Sequence, residues 1–342
     1  MSIDVFDFFS GCGGTSSGFR QAGFNIKMGL DIDVDSKHTF QLNFPEAIFI
    51  NTDIRELHEN SISALIGKRA SPLLFSGCAP CQPFSKQNRQ STLSDSRLNL
   101  LDEFGRFIKK WKPEYVFVEN VPGMQKQSAK SDTFQRFLEL LTKIGYSFDI
   151  QIVEAQWFGV PQKRSRLVFL ASLKNQIFIP PQTHGPEKLR YSTVAEWISD
   201  LPTLENGQTD ILDPDHFALK LSPLNLERIR ATPEGGGREF WPERLILNCH
   251  KGYSGHSDVY GRLSWNKPAA GLTTKCISYS NGRFGHPSQD RALSLREAAC
   301  LQTFPRDFLF TGSKQSKARQ VGNAVPPLMA LAIARQITHQ VV

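Results

Sequence analysis

The chain has 342 residues, 40% hydrophobic and 21% charged, and its 40 Lys and Arg against 33 Asp and Glu leave a net charge of +7. That composition supports one large or two modest packed domains and excludes wholesale disorder. It contains no run of about 18 apolar residues to cross a bilayer and no basic-then-apolar secretory signal at its start.

The pI of about 9.1 suits a polyanionic partner, although many soluble enzymes are equally basic. Six cysteines scattered at 12, 78, 81, 249, 276 and 300 do not read as a disulfide framework, which points to a reducing, cytoplasmic setting.

Taken in order, the first half alternates strand-like and helix-like segments. Residues 3–9 form an apolar run that ends at Gly11-Cys12-Gly13-Gly14, and a helical stretch follows over 16–22. Strands are expected at 25–30, 47–50, 73–75, 115–118, 148–153 and 167–171, and helices at 34–42, 98–111 and 134–144. The alternation predicts an α/β fold with a mostly parallel, doubly wound sheet covered on both faces. From about 175 the rhythm is broken by Pro180-Pro181, His184-Gly185-Pro186 and Gly235-Gly236-Gly237. That stretch reads as a second, smaller and irregular domain. Helical character returns at 295–301, and Pro326-Pro327 opens a last helix over 328–337.

Asp31, Asp53, Cys81 and Glu119 all fall just past the carboxyl end of an expected strand, the edge where open α/β sheets bind ligands. The turn from Phe9 to Gly14 lets backbone approach a ligand, or is simply a tight turn. Ser16 stands where a dinucleotide fingerprint places its third Gly, which disfavours nicotinamide and flavin. Asp31, 20 residues after Gly11, is placed to hold ribose hydroxyls.

In Cys78-Ala79-Pro80-Cys81-Gln82-Pro83-Phe84-Ser85, four readings of the thiol at 81 compete: nucleophile, redox dithiol, half of a zinc site, or inert buried Cys. No second Cys-x-x-Cys exists to complete a metal site, and none is expected. Glu119 is either a helix-capping carboxylate or a buried acid that keeps its proton. Alternation along an extended Gln162-Lys163-Arg164-Ser165-Arg166 would put Gln162, Arg164 and Arg166 on one face.

Together, and in this order, these segments and Gln320-Val321-Gly322-Asn323-Ala324-Val325-Pro326 resemble the DNA (cytosine-5)-methyltransferase family over about 3–171 and 261–337. The resemblance implies a Rossmann-like methyltransferase domain at 1–175 plus 310–342, with a target-recognition domain and hinge at 176–309. It implies S-adenosylmethionine as cofactor, bound by Phe9, Gly11, Cys12, Gly14, Asp31, Ile32, Asp53, Ile54 and Pro80. Asn323 and Val325, from a returning C-terminal helix, would close that pocket.

Cys81 would be the nucleophile, with Glu119, Arg164 and Arg166 serving the chemistry. Gln82, Ser85, Asn120 and Gln162 would meet the substrate, a cytosine flipped out of duplex DNA. Lys188, Arg190, Arg228, Arg230, Arg238, Arg244 and Lys251 would supply DNA contacts in the recognition region. The enzyme would be a nucleoid-associated monomer on DNA, with restriction or defence proteins as possible partners and no membrane. The rival readings are a tRNA cytosine-5 methyltransferase, an inactive DNA-binding homologue, and a redox or zinc protein built on Cys78 and Cys81. One departure from the family pattern is Gly271, where a Thr is usual.

Overall fold

A computed structural model describes residues 2–79, 99–123, 133–250 and 258–339. Pro80, Cys81, Gln82, Ser85 and Lys251 therefore lie outside the described residues.

In chain order the elements are β1 (Asp4–Phe8), α1 (Gly14–Gln21), β2 (Asn25–Leu30), α2 (Val34–Asn43), β3 (Ile48–Ile50), α3 (Ser63–Ile66), β4 (Leu73–Gly77) and α4 (Leu100–Trp111). There follow β5 (Tyr115–Asn120), α5 (Thr133–Ile144), β6 (Ser147–Glu154), β7 (Gln162–Lys163) and β8 (Ser165–Ser172). The remaining elements are α6 (Val194–Ile198), α7 (Pro223–Arg230), β9 (Ala269–Ala270), α8 (Leu295–Leu301), α9 (Lys314–Asn323) and α10 (Pro327–His339). No helix among the described residues is long and apolar enough to cross a membrane.

Seven strands form one sheet in the order β3-β2-β1-β4-β5-β8-β6. The β1–β2, β1–β4, β2–β3 and β4–β5 pairs are parallel, whereas β8 runs antiparallel to both β5 and β6. The strand order reverses direction between β1 and β4, the switch point at which such sheets open a crevice outside their carboxyl ends.

Both faces of the sheet are covered. Phe6, Phe8, Phe75, Val116, Val118 and Phe169 pack with Phe104, Phe107 and Ile108 of α4 and Phe137 and Leu141 of α5. On the other face the ring of Phe19 in α1 meets Phe117 edge-on at 5.7 Å. Helix α4 forms because Leu100, Leu101, Phe104, Phe107 and Ile108 repeat at helical spacing on a buried stripe. Asp102 and Glu103 in its first turn and Lys109 and Lys110 in its last complement the helix dipole.

The chain divides into two compact units. The first comprises Met1–Glu154, Ser165–Gln182 and Val325–Val342, and the second Ala155–Arg164 and Thr183–Ala324. The expected first domain, 1–175 plus 310–342, differs from that unit in three places: residues 155–164 and 310–324 lie in the second unit, and 176–182 in the first. Residues 155–164 go with the second unit because β7 pairs with β9, Gln162 against Ala269 and Lys163 against Ala270. Helix α9 also goes with it: a Cβ on Gly322 would lie 2.1 Å from the carbonyl oxygen of Thr273, so the two backbones touch there. Gly271 has a similar origin, since a Cβ at that position would meet the carbonyl oxygen of Lys163 at 2.8 Å. The usual Thr does not fit beside β7 in this chain.

The core of the second unit gathers Ile229, Trp241, Leu245, Tyr279 and Ala292. Guanidinium groups organise its loops by binding carbonyls. Arg262 donates to Ile229, Thr232, His286 and Gln289. Arg283 holds the carbonyls of Gly235 and Gly236 at 2.8 and 2.7 Å, which fixes the triple-Gly turn. Arg228 is buried, donates to Leu245 at 3.0 Å and lies over the rings of Trp241 and Tyr260, so it serves this core. Among the other basic residues expected at DNA, Arg230 pairs with Asp290 and Arg244 with Glu227 on the surface, and Arg190 pairs with Glu196.

Candidate active site

The carboxyl rim of the sheet in the first unit collects the chemistry. Strand β1 runs into Phe9 at φ 59, Gly11 at φ 51 and Gly13 at φ 95, a turn held in the left-handed region. For Phe9 that conformation is unusual, and such strain concentrates at functional sites. A Cβ at Gly13 would run into the Phe44 ring at 2.4 Å, whereas one at Gly11 would meet nothing within 4 Å among the described residues. Gly13 thus answers to packing beneath the turn, and Gly11 borders an open cradle above it. Cys12 and Gly14 are buried in the same turn.

Asp31, just past β2, faces that cradle. Its Oδ2 accepts from the N–H of Gly11 at 2.9 Å and its Oδ1 from the N–H of Asp33 at 3.0 Å. Burial pushes the Asp31 carboxyl upward, against the pull of those two amides. Next to it Ile32 stands 66% exposed, an aliphatic side chain presented to solvent at the rim.

Past β3, Asp53 caps the 54–56 turn, accepts from Arg55 and is held below the usual carboxylate range by it. Ile54 is buried in the core. Its side chain anchors the loop from below and leaves Asp53 as the rim's polar group there. Asn51, which nothing in the sequence singled out, donates to the carbonyl of Asp31 at 2.9 Å and ties the two loops together.

At the end of β4, Cys78 sits 3.8 Å from the hydroxyl of Thr15. Burial, with Glu119 and Asp7 nearby, pushes its thiol well above the ordinary range. A thiol held protonated makes a poor partner for dithiol redox chemistry.

At the end of β5, Glu119 is buried and forms an ion pair with Arg166 of β8, Nε to Oε1 2.6 Å. The pairing follows from register: Glu119 opposes Val168 across the antiparallel β5–β8 ladder, which leaves Arg166 two residues away on the same face. Asn120, also buried, donates to the carbonyl of Ala79 at 3.1 Å and accepts from the N–H of Val121. It binds backbone on both sides.

Gln162, Arg164 and Arg166 do not lie on one continuous strand. The ladder breaks at Arg164, between β7 and β8. Gln162 is buried in the second unit, donates to Leu301 and Gln302 and accepts from the N–H of Leu272 at 3.0 Å. Arg164 donates to the carbonyls of Leu272 and Gly322, the latter in the last turn of α9, where the helix dipole favours a cation. Only Arg166 joins the rim of the first unit. Asn323 is the exposed last residue of α9, and Val325 is buried in the link before α10, so the two do not lie on one returning helix.

The C-5 cytosine-specific DNA methylase family matches residues 3–339. The chain belongs to that family. Type II methylase M.HgiDII of Herpetosiphon aurantiacus is 40% identical over 97% of this chain and 94% of its own length. Type II methyltransferase M1.HphI of Haemophilus parahaemolyticus is 33% identical over 98% of this chain and 87% of its own. Among solved structures, one described as a prophage-encoded DNA modification methyltransferase of E. coli superposes with a TM-score of 0.78 at 25% identity, covering 99% of both chains. A methyltransferase of Entamoeba histolytica shares the fold at 17% identity, with a TM-score of 0.67 and coverage of 100% of this chain and 99% of that one. The methylase thus has the α/β architecture of this group, with its charged and polar groups delivered to one edge of the sheet.

Proposed function

We propose that this methylase transfers a methyl group from S-adenosylmethionine to carbon 5 of a cytosine flipped out of duplex DNA, with Cys81 as nucleophile, as a monomer in a modification or defence system. The observation that carries this reading is the buried Glu119–Arg166 pair at the sheet rim, joined through Asn120 and Ala79 to the exit of β4 that leads to Cys81.

The residues around the turn after β1 fit the cofactor. The space above Gly11 is open, Asp31 offers a carboxylate to two vicinal hydroxyls, and exposed Ile32 offers an apolar surface to a purine face. Phe9, Cys12 and Gly14 shape the turn, Asp53 meets the purine edge with Ile54 beneath it, and Pro80, Asn323 and Val325 complete the binding set. S-adenosylmethionine supplies an electrophilic methyl group at that site.

Cytosine carbon 5 is a weak nucleophile until a thiolate adds to carbon 6. The Cys81 thiolate would form that C–S bond, and the ring electrons would move to carbon 5, which would take the methyl group as the sulfonium–methyl bond breaks and S-adenosylhomocysteine leaves. A base then removes the carbon 5 proton, and the returning electrons expel the thiolate. A Glu119 that carries or shares a proton donates to the ring nitrogen where charge collects, and Arg166 orients Glu119 and meets the carbonyl oxygen. Gln82 and Ser85 contact the DNA. Arg164, Asn120 and Gln162 support the chemistry by holding backbone in place.

Bisulfite sequencing of plasmid from cells expressing the protein, beside a Cys81→Ser control, tests this reading. Protected cytosines in one short sequence context, absent in the control, are expected. Protection that survives Cys81→Ser would remove the nucleophile. No protection at all would shift the substrate to RNA or leave an inactive DNA-binding protein, and labelled methyl transfer to RNA separates those two.

A further inference from the structure

The loop that carries Asp53 is bolted from outside by a residue of α4. Arg106 donates from Nη2 to the carbonyls of Ile54 and Leu57, at 3.2 and 3.4 Å. Its Nη1 pairs with Glu59 at 2.7 Å and its Nε with Glu103 at 2.7 Å. The indole of Trp111, the last residue of the same helix, donates to the carbonyl of Glu59 at 2.7 Å. At the other end of the same loop Asn51 holds the carbonyl of Asp31. Residues 51–59 are thus pinned at both ends, and the pin at the far end is one guanidinium that uses all three of its nitrogens.

A planar fork with fixed donors suits this task better than an ammonium, because two carbonyls and two carboxylates are satisfied in a single geometry. Within that segment only Ile54 is buried, so these hydrogen bonds, more than apolar packing, hold its backbone. What they fix is the angle at which the 53–57 turn presents Asp53.

We infer that Arg106 is a positioning residue for cofactor recognition: by clamping the 53–57 turn it sets the Asp53 carboxylate to accept from the exocyclic amino group of adenine. This rests on the cofactor placement proposed above. A carboxylate is acceptor-only and matches an amino donor, so the contact discriminates adenine from a purine that lacks the amino group.

The test is calorimetric and needs no turnover. S-adenosylhomocysteine and its analogue with unsubstituted purine are titrated into the wild-type protein, Arg106→Ala and Arg106→Lys. The wild type should prefer the adenine ligand by about tenfold, the worth of one charge-assisted hydrogen bond. Arg106→Ala should weaken S-adenosylhomocysteine by about that factor and leave the purine analogue nearly unchanged, so that the preference collapses.

Arg106→Lys can pair with Glu59 but cannot also reach both carbonyls. It should retain the fold and lose most of the preference, which keeps the test open if the Ala variant does not fold. A preference retained in either variant, whatever its thermal stability, would make Arg106 a plain structural residue and overturn the inference. A wild-type protein that binds both ligands equally would instead overturn the placement of adenine against Asp53.

Discussion

Asn120 donates to the carbonyl of Ala79 across 3.1 Å, and one buried amide thereby locks the exits of β4 and β5 together. Ala79 lies two residues before Cys81, the proposed nucleophile, so the tether fixes the last described residue ahead of it. Asn120→Ala should lower kcat by up to about a hundredfold, the cost of misplacing a reacting group by an ångström. Affinity for S-adenosylhomocysteine should stay unchanged, because Asn120 faces the loop and not Asp31. Single-turnover methylation alongside calorimetry checks this, and an unaltered rate would show that the loop finds its place without the tether.

Asp31 carries two backbone amides, those of Gly11 and Asp33, and has its carboxyl pushed up by burial. Asp31→Ala should weaken cofactor binding by about ten- to a hundredfold, since both the ribose acceptor and the brace on the turn disappear. Equal calorimetric affinities in variant and wild type would remove Asp31 from the cofactor site.

Asp7 lies fully buried beneath the same turn, where its Oδ2 accepts from the Ser16 hydroxyl at 2.6 Å. Burial pushes its carboxyl up to about 6 from 3.8. The folded state therefore holds this proton more tightly than the unfolded chain. The stability it contributes is full below the unfolded value and is lost as pH rises through the folded one. Asp7→Asn keeps the shape and cannot ionise, so it should stabilise the protein at pH 8 by up to about 3 kcal/mol, and by clearly less at pH 5. Thermal or urea unfolding at the two pH values decides the matter, and an equal effect at both would mean that Asp7 does not titrate in this range.

Arg164 is a buried cation whose Nη1 serves two backbone carbonyls, those of Leu272 and Gly322. Arg164→Ala strands both acceptors and should cost about 3 kcal/mol of folding stability. Catalysis by the folded fraction at low temperature should survive, in contrast to Arg166→Ala, which removes the partner of Glu119. Loss of the chemical step in Arg164→Ala without a change in unfolding would return Arg164 to the reacting groups.

Much of this was legible from residue order alone. The strand that ends before Gly11, the apolar stripe of α4 and the capped helix at Leu295–Leu301 all follow from local periodicity and end signals, which do not depend on what they pack against. The rim residues were legible because a strand's end is a local feature and the sheet's parallel order places such ends on one edge.

What escaped depends on distant partners. Strands β7 and β9 are two residues each, too short to show a period, yet their pairing takes Gln162 and Arg164 into the second unit. Helix α9 reads KQSKARQVGN, without an apolar stripe to announce it. Asn51 and Arg106 are ordinary polar residues in sequence, and only the hydrogen bonds they make across the fold distinguish them.

The contact between α1 and α10 has a consequence for synthesis. A Cβ on Gly18 would lie 2.2 Å from the carbonyl oxygen of Pro327 and 2.6 Å from the Cβ of Ala330, so the helix that follows the Gly-rich turn rests directly on backbone made more than 300 residues later. While the chain is still growing on the ribosome, α1 can close on the sheet through Phe19, but its Gly18 side stays uncovered until α10 emerges. The turn after β1 therefore leads into a helix that completes its packing only once Pro327 and Ala330 have been made.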